Sequence, residues 1–181
     1  MAKIGLCGAH GSGKTTLLNI LTEKHNLHPL QRTMRDMWEN FGVSDFEKLP
    51  ADVRNIFQKY ALLNQINREL HEGGESFITD RTVIDNLGYT LLSSDMTGID
   101  LKMYQTLVLS HFQNYTHFIY VPVEFVAEQE ALRADVNTSK TWDETVRQWL
   151  SENVKPEKYL IVSGSVETRI SQIEASCGFL D

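Results

Sequence analysis

A glycine-rich segment near the start of the chain has the residue types and spacing of a site for phosphate chemistry. Residues 8–15 read GAHGSGKT and fill every fixed position of the pattern G-x-x-x-x-G-K-[ST]. Glycines let the backbone turn so that successive N–H groups point at a polyphosphate. Lys14 can then reach the β- and γ-phosphates, while the hydroxyl of Thr15 can ligate Mg²⁺. This phosphate loop predicts a binding site for a nucleoside triphosphate.

The elements on either side of the phosphate loop are the ones that such a site requires. Residues 3–7 form a short apolar run typical of a buried strand, and residues 14–25 carry leucines at helical spacing. A helix that begins at the loop points its positive end at a bound phosphate. This context of strand, glycine loop and helix favours a true site over a chance match to the pattern.

An acidic and a basic residue follow a second predicted strand. Residues 76–79 read SFIT and end at Asp80-Arg81. Asp80 can hold Mg²⁺ or its waters and can take a proton from an attacking hydroxyl. Arg81 can grip a phosphate bidentately. The alternative is a structural ion pair at the end of the strand.

Strand-like and helical runs alternate along the chain and predict a parallel sheet covered on both faces. Ligands of such sheets bind at the carboxyl ends of the strands. Strands are predicted at 3–7, 27–30, 76–79, 117–121 and 158–162. Helices are predicted at 14–25, 32–40, 50–71, 83–94, 100–113 and 166–177, with two more stretches in 124–153 around a breaker zone at 135–140. In helix 50–71 the apolar positions that step by three and four are Val53, Ile56, Phe57, Tyr60, Leu63, Ile66 and Leu70.

Composition and charge restrict the possible partners. The 181 residues are enough for one domain, and no apolar stretch approaches the length that spans a membrane. The net charge of −7 disfavours extended nucleic-acid binding, which needs a basic surface. Cys7 and Cys177 make no disulfide framework, and we expect reduced cysteines in a cytoplasmic protein.

Two segments resemble a known family. Residues 80–89, DRTVIDNLGY, resemble the Asp-Arg-[ST]-x-x-Asp segment of small P-loop kinases of the nucleoside/nucleotide kinase group. The chain is most similar to the nicotinamide-riboside-kinase-like, AAA-type ATP-binding proteins. Residues 162–170, VSGSVETRI, resemble the last strand, turn and helix of that group, so that the likeness spans nearly the whole chain. It implies an α/β P-loop NTPase three-layer fold in a single kinase domain, 1–181, with a five-stranded parallel sheet in the order 2-3-1-4-5 and a small helical lid at about 124–153.

The resemblance also implies roles for individual residues. ATP would be bound by Gly8, His10, Gly11, Ser12, Gly13, Lys14, Thr15 and Thr16, with Gly164 against the adenine. Thr15 and Asp80 would serve Mg²⁺, whereas Arg81 and Asp85 would lie near the phosphate acceptor. Either Arg32 or Arg35 would face the acceptor, and Arg133, ahead of Lys140 and Arg147, would close over the γ-phosphate from the lid.

These features together favour an ATP- and Mg²⁺-dependent phosphotransferase whose acceptor is a (deoxy)nucleoside or a nucleoside monophosphate. One alternative is a kinase acting on a base or an end within DNA or RNA, and another is a non-catalytic ATP-binding regulator. A GTPase switch would carry Asn-Lys-x-Asp on a late strand, and this motif does not occur in the chain. The sequence leaves open the acceptor, the base preference and the oligomeric state, for which a homodimer is one possibility.

Overall fold

A five-stranded parallel sheet forms the middle layer of the protein. The computed structural model describes residues 1–31, 40–43, 46, 48–124 and 136–179. The predicted helix 32–40, except its last residue, lies outside them, as do Arg32, Arg35 and Arg133. The described strands are β1 (Lys3–Cys7), β2 (His28–Leu30), β3 (Phe77–Asp80), β4 (His117–Tyr120) and β5 (Leu160–Ile161). The described helices are α1 (Lys14–His25), α2 (Ala51–His71), α3 (Val83–Ser93), α4 (Gly98–Phe112), α5 (Val136–Asn153) and α6 (Val166–Cys177), with a 3₁₀ turn at Pro156–Lys158.

The strand order is β2-β3-β1-β4-β5, and each neighbouring pair is parallel. This confirms the fold and the order 2-3-1-4-5 that the family resemblance implies. β1 lies between β3 and β4, with Leu6 opposite Asp80 and Cys7 opposite Tyr120. The chain that leaves β1 therefore passes beside the end of β3, where Asp80 lies.

Helices cover both faces of the sheet. On one face α1 and α6 bury an apolar cluster that includes Leu17, Leu21 and Ile173. On the other face α2 to α5 bury a larger cluster that includes Leu87 and Trp142. These clusters fix the sheet between two helical layers, as the alternating pattern predicts. None of the described helices is both long enough and apolar enough to cross a membrane.

The apolar spacing in 50–71 correctly predicts α2 but does not mark the face that the helix buries. Ile56, Tyr60, Leu63 and Leu70 are exposed. The buried positions of α2 are Gln58, Ala61, Leu62, Gln65, Arg68 and Glu69. A buried polar side chain is tolerated when hydrogen bonds satisfy it, and Glu69 accepts such bonds from three side chains.

The breaker zone predicted at 135–140 is wrong for residues 136–140, because α5 runs without interruption from Val136 to Asn153. Residues such as Ser139 in this zone and Thr141 just after it lower the stability of a helix only weakly. Packing outweighs that preference here, since Trp142, Val146 and Leu150 are buried in the cluster that α5 shares with α3. Residues 125–135 are outside the described part of the chain, so the lid at 124–153 stays a prediction.

Candidate active site

The phosphate loop joins β1 to α1 at the carboxyl edge of the sheet, and two of its glycines are required by geometry. A Cβ atom on Gly8 would lie 2.2 Å from the carbonyl oxygen of Val121, which is far inside contact distance. Gly13 is the N-cap of α1 with φ of 90°, in the left-handed region that glycine adopts without strain. The loop therefore keeps its shape only with glycine at both positions.

Lys14 is buried against the loop that precedes it and is 4% exposed. Its Nζ donates to the carbonyl oxygens of Gly8 (2.7 Å) and Ala9 (2.8 Å) and to Oγ of Ser12 (3.3 Å). Burial, and then the nearby charge of Arg81, lower the pKa of Lys14 to about 8, although neighbouring carboxylates oppose this. The ammonium of Lys14 is thus held in surroundings that, despite these carboxylates, disfavour its charge.

Thr15 and Asp80 meet across the junction of the loop and β3. The hydroxyl of Thr15 donates to Oδ2 of Asp80. Among the described residues, the buried Oδ1 of Asp80 has no hydrogen-bond partner. A buried carboxylate oxygen without a protein donor is one that water or a cation can complete. A pocket of about 310 Å³ opens here and is lined by His10, Gly11, Gly13, Lys14, Thr15, Thr16, Asp80 and Arg81.

Arg81 extends from the end of β3 toward α3. Its Nη1 donates to the hydroxyl of Tyr89 (3.2 Å) and lies 3.6 Å from Oδ1 of Asp85, while its guanidinium carbon is 5.6 Å from the centre of the Tyr89 ring. Burial opposes the charge, but Tyr89, Asp85 and Asp80 together raise the pKa of Arg81 above its ordinary value. The guanidinium is therefore held charged at the rim of the pocket.

Asp85 is buried and connects the start of α3 to the phosphate loop. Its Oδ2 accepts hydrogen bonds from the N–H and the hydroxyl of Thr82, both at 2.8 Å, in a capping box of α3. Its Oδ1 accepts from the N–H of Gly8 at 3.2 Å. The contacts of Asp85 in this structure are thus with the loop, Arg81 and the helix cap, and its role at the acceptor stays a prediction.

Arg169 and Glu124 adjoin the site and were not predicted from the sequence. Arg169, on α6, donates from Nη1 to the carbonyl oxygen of Ser12 (2.9 Å) and from Nη2 to Oε2 of Glu124 (3.0 Å). The same Glu124 oxygen accepts from the N–H of Gly164 at 2.7 Å. The Gly164 N–H, and then Arg169, lower the pKa of the Glu124 carboxyl. The available signal was the position of Arg169 in the segment VETRI, in the first turn of the helix that follows Gly164 at the ligand-binding edge.

The structure therefore brings together most of the described residues that the sequence singled out. Asp80 and Arg81 share one pocket with the predicted ATP-binding residues of the loop other than Gly8 and Ser12, whereas Gly164 is joined to the loop through Glu124 and Arg169. No group of three or more histidine, cysteine or acidic side chains in the described part of the chain is placed to hold a metal. A metal here would be ligated by a hydroxyl, a carboxylate and a ligand's own oxygens.

Comparison with solved structures shows that this chain shares its fold with known proteins. A NadR protein in complex with NR has a TM-score of 0.74 and 17% identity, and the match covers 98% of this chain and 51% of that one. This chain therefore spans about half the length of that protein. A deoxyadenosine kinase from M. mycoides with the products dCMP and dCDP has a TM-score of 0.66 and 19% identity, covering 99% of this chain and 100% of that one. The same enzyme with dATP has a TM-score of 0.68 and 17% identity, covering 97% and 99%. A search of curated proteins found no match.

The family model of an AAA domain matches residues 3–169, which include the phosphate loop, the Asp80-Arg81 turn and Arg169. This is more than nine-tenths of the chain, and it spans every strand of the sheet. The chain therefore belongs to this AAA domain family, in the fold of the small P-loop kinases.

Proposed function

We propose that the protein is a phosphotransferase that moves the γ-phosphoryl group of ATP to a (deoxy)nucleoside or a nucleoside monophosphate. The observation that supports this proposal most directly is the pocket in which the phosphate loop, Asp80 and Arg81 converge. The structural neighbours give it further support, since one is solved with NR and another is a deoxyadenosine kinase. Sequence identities of 17–19% support a shared fold, so the class of acceptor is proposed here by analogy with these neighbours.

The phosphates of ATP would replace the partners that Lys14 has in this structure. Nζ of Lys14 now donates to two loop carbonyls and to Ser12. A triphosphate offers full negative charge in place of these neutral acceptors, and charge-assisted hydrogen bonds are about twice as strong as neutral ones. The N-terminus of α1, which begins at Lys14, contributes its positive end.

Mg²⁺ fits the residues present at the end of β3. The hydroxyl of Thr15 and the carboxylate of Asp80 lie together, and Oδ1 of Asp80 is buried without a donor among the described residues. Oxygen ligands of this kind, completed by water and phosphate, are those that Mg²⁺ prefers. When bound, Mg²⁺ would neutralise charge on the transferring phosphates.

The remaining chemistry falls to Asp80 and Arg81. The carboxylate of Asp80 would accept the proton of the attacking hydroxyl, which needs a base within hydrogen-bond reach. Arg81 would hold an anionic group of the acceptor or of the transferring phosphate. Within one domain, 1–181, we further propose that the segment 124–153 is a lid that brings Arg133 to the γ-phosphate, and that Arg32 or Arg35 faces the acceptor.

The direct test is a screen for transfer from labelled ATP in the presence of Mg²⁺. Nucleosides, nucleoside monophosphates and a DNA oligonucleotide are offered in parallel, with Lys14→Met as the inactive control. Labelled product from a nucleoside or a monophosphate supports the proposal. Product from the oligonucleotide alone identifies a nucleic-acid kinase, and the absence of any product with a retained affinity for ATP identifies a binding protein.

From the lowered pKa of Lys14 we predict how the stability of the nucleotide-free, Mg²⁺-free protein depends on pH. Between about pH 8 and pH 10.5 the unfolded lysine binds more protons than the folded one, so its contribution to the free energy of unfolding rises with pH. The unfolding curves of wild type and Lys14→Met should therefore diverge in favour of wild type over this interval, by at most about 3 kcal/mol. Denaturant unfolding at a series of pH values measures this. A Lys14→Met curve that runs parallel to that of wild type over this interval would contradict the lowered pKa of Lys14.

Asp80→Asn keeps the shape of the side chain and removes the charge that the proposed chemistry needs. We expect kcat to fall on the order of a hundredfold, with a smaller effect on the affinity for ATP. Steady-state kinetics and ATP titration measure the two quantities. Asp95→Asn, at a carboxylate 63% exposed, is the control. A loss of less than about threefold in Asp80→Asn would favour a purely structural ion pair.

Arg81→Lys separates a charged acceptor from an uncharged one, because lysine keeps the charge but loses the bidentate fork. With a monophosphate as acceptor, the KM for the acceptor should rise about tenfold or more while the KM for ATP changes little. With an uncharged nucleoside, the loss should appear in kcat. Kinetics with each substrate varied in turn measure both, and equal effects on the two KM values would place the acceptor elsewhere.

A further inference from the structure

The backbone of Arg81 has a conformation that its residue type disfavours. Its φ is 98°, and Asn26 is the only other non-glycine residue in the described part of the chain with a positive φ. Asparagine tolerates this region through its short polar side chain, whereas arginine does not. Strained backbone of this kind persists only where the surrounding structure holds it in place.

Two buried side chains hold the peptide group that follows Arg81. Its carbonyl oxygen accepts hydrogen bonds from Oγ1 of Thr79 at 2.8 Å and from Nε2 of Gln65 at 2.9 Å. On the other side, the N–H of Arg81 donates to the carbonyl oxygen of Leu6 in β1 at 3.3 Å. Arg81 is thus fixed at both its peptide groups, and neither Thr79 nor Gln65 lines the pocket.

Gln65 is itself held by a network of buried polar side chains between α2 and the end of α4. Its Nε2 also donates to Oε1 of Glu69, and Glu69 accepts from the hydroxyl of Tyr115 (2.8 Å) and from Nε2 of His111 (2.7 Å). These side chains are all buried. Because burying polar groups costs free energy unless every partner is present, a network of this kind holds its members in one arrangement.

From these contacts we infer that Thr79 and Gln65 are positioning residues, which set the Asp80-Arg81 turn for the phosphoryl transfer proposed above. The guanidinium of Arg81 reaches Tyr89 beside Asp80 only while the peptide between the strand end and α3 keeps this orientation. Release of the Arg81 carbonyl lets the backbone relax to a negative φ, and the guanidinium then leaves its place. The inference rests on the proposed function for its kinetic effect, but the geometry of the turn is measurable without it.

The experiment uses Thr79→Val and Gln65→Met, which remove the donors and nearly preserve the volume. Thr79→Ser keeps the hydroxyl and serves as the rescuing variant. Thr90→Val is the matched control, because Thr90 is also a buried threonine with its hydroxyl on a backbone carbonyl, that of Asn86 at 2.9 Å. Two measurements are made on each variant. Hydrogen exchange of the Arg81 amide is followed in nucleotide-free protein, and steady-state kinetics give kcat and the KM for ATP.

We expect the Arg81 amide to exchange about tenfold faster in Thr79→Val and in Gln65→Met, because local opening of the turn becomes easier. We expect kcat to fall about tenfold or more in both, with the KM for ATP changed by less than about twofold. Thr79→Ser should resemble wild type in both quantities. Thr90→Val should leave the exchange rate of the Arg81 amide and kcat unchanged, even if it lowers the melting temperature as much as Thr79→Val does.

Wild-type protection of the Arg81 amide and wild-type kcat in Thr79→Val and Gln65→Met would overturn the inference. Equal losses in Thr90→Val would overturn it too, since they would mark a general effect of a lost buried hydroxyl. If Thr79→Val does not fold, Gln65→Met carries the test with the same readouts. Failure of the proposed function is recognised separately, as the absence of labelled product in the transfer screen, and the amide exchange then still decides whether Thr79 and Gln65 hold the turn.

Discussion

The buried carboxylate of Asp85 joins the two halves of the candidate site. One oxygen accepts from the N–H of Gly8 at the start of the phosphate loop, and the other caps α3 through Thr82. The loop that would hold ATP and the turn that carries Asp80 and Arg81 are therefore tied to one side chain. A carboxylate in this position loses much of its solvation, and it is stabilised only because donors occupy both of its oxygens. The geometry of the pocket therefore depends on the donors that bind both oxygens of Asp85.

Two cations and two carboxylates lie in or beside the pocket, and burial disfavours the charge of one of the cations. Lys14 and Arg81 face Asp80 and Asp85, so that two positive groups oppose two negative ones. The two cations differ in how they are held, because burial lowers the pKa of Lys14 whereas acidic neighbours and Tyr89 raise that of Arg81. A triphosphate would relieve the cost at Lys14 and, by adding several negative charges, create the need for a divalent metal beside Asp80.

Local patterns predict local structure well in this chain, and long-range contacts escape them. The strand, loop and helix from Lys3 to His25 form as the sequence indicates, because their signals lie within a few residues of each other. The strand order came from a family resemblance, since spacing alone does not say which strands are neighbours. Arg169 lies 157 residues from Ser12, whose carbonyl it binds, and no periodicity connects the two. Packing of Trp142 likewise extends α5 through a segment whose composition suggests a break.

Helix α2 shows why a hydrophobic pattern can predict an element and still miss the face it buries. The pattern counts apolar residues, whereas burial at Gln65 and Glu69 depends on partners in other elements, among them Tyr115 and His111. An apolar side chain in place of Gln65 would fill the same space but would leave the buried carbonyl of Arg81 with Thr79 as its only described donor. The left-handed backbone at Arg81 would then lose one of the two hydrogen bonds that hold its carbonyl oxygen. The buried polar side chains of α2 bind the turn after β3 and side chains such as His111 and Tyr115, so the sequence of α2 alone does not reveal its buried face.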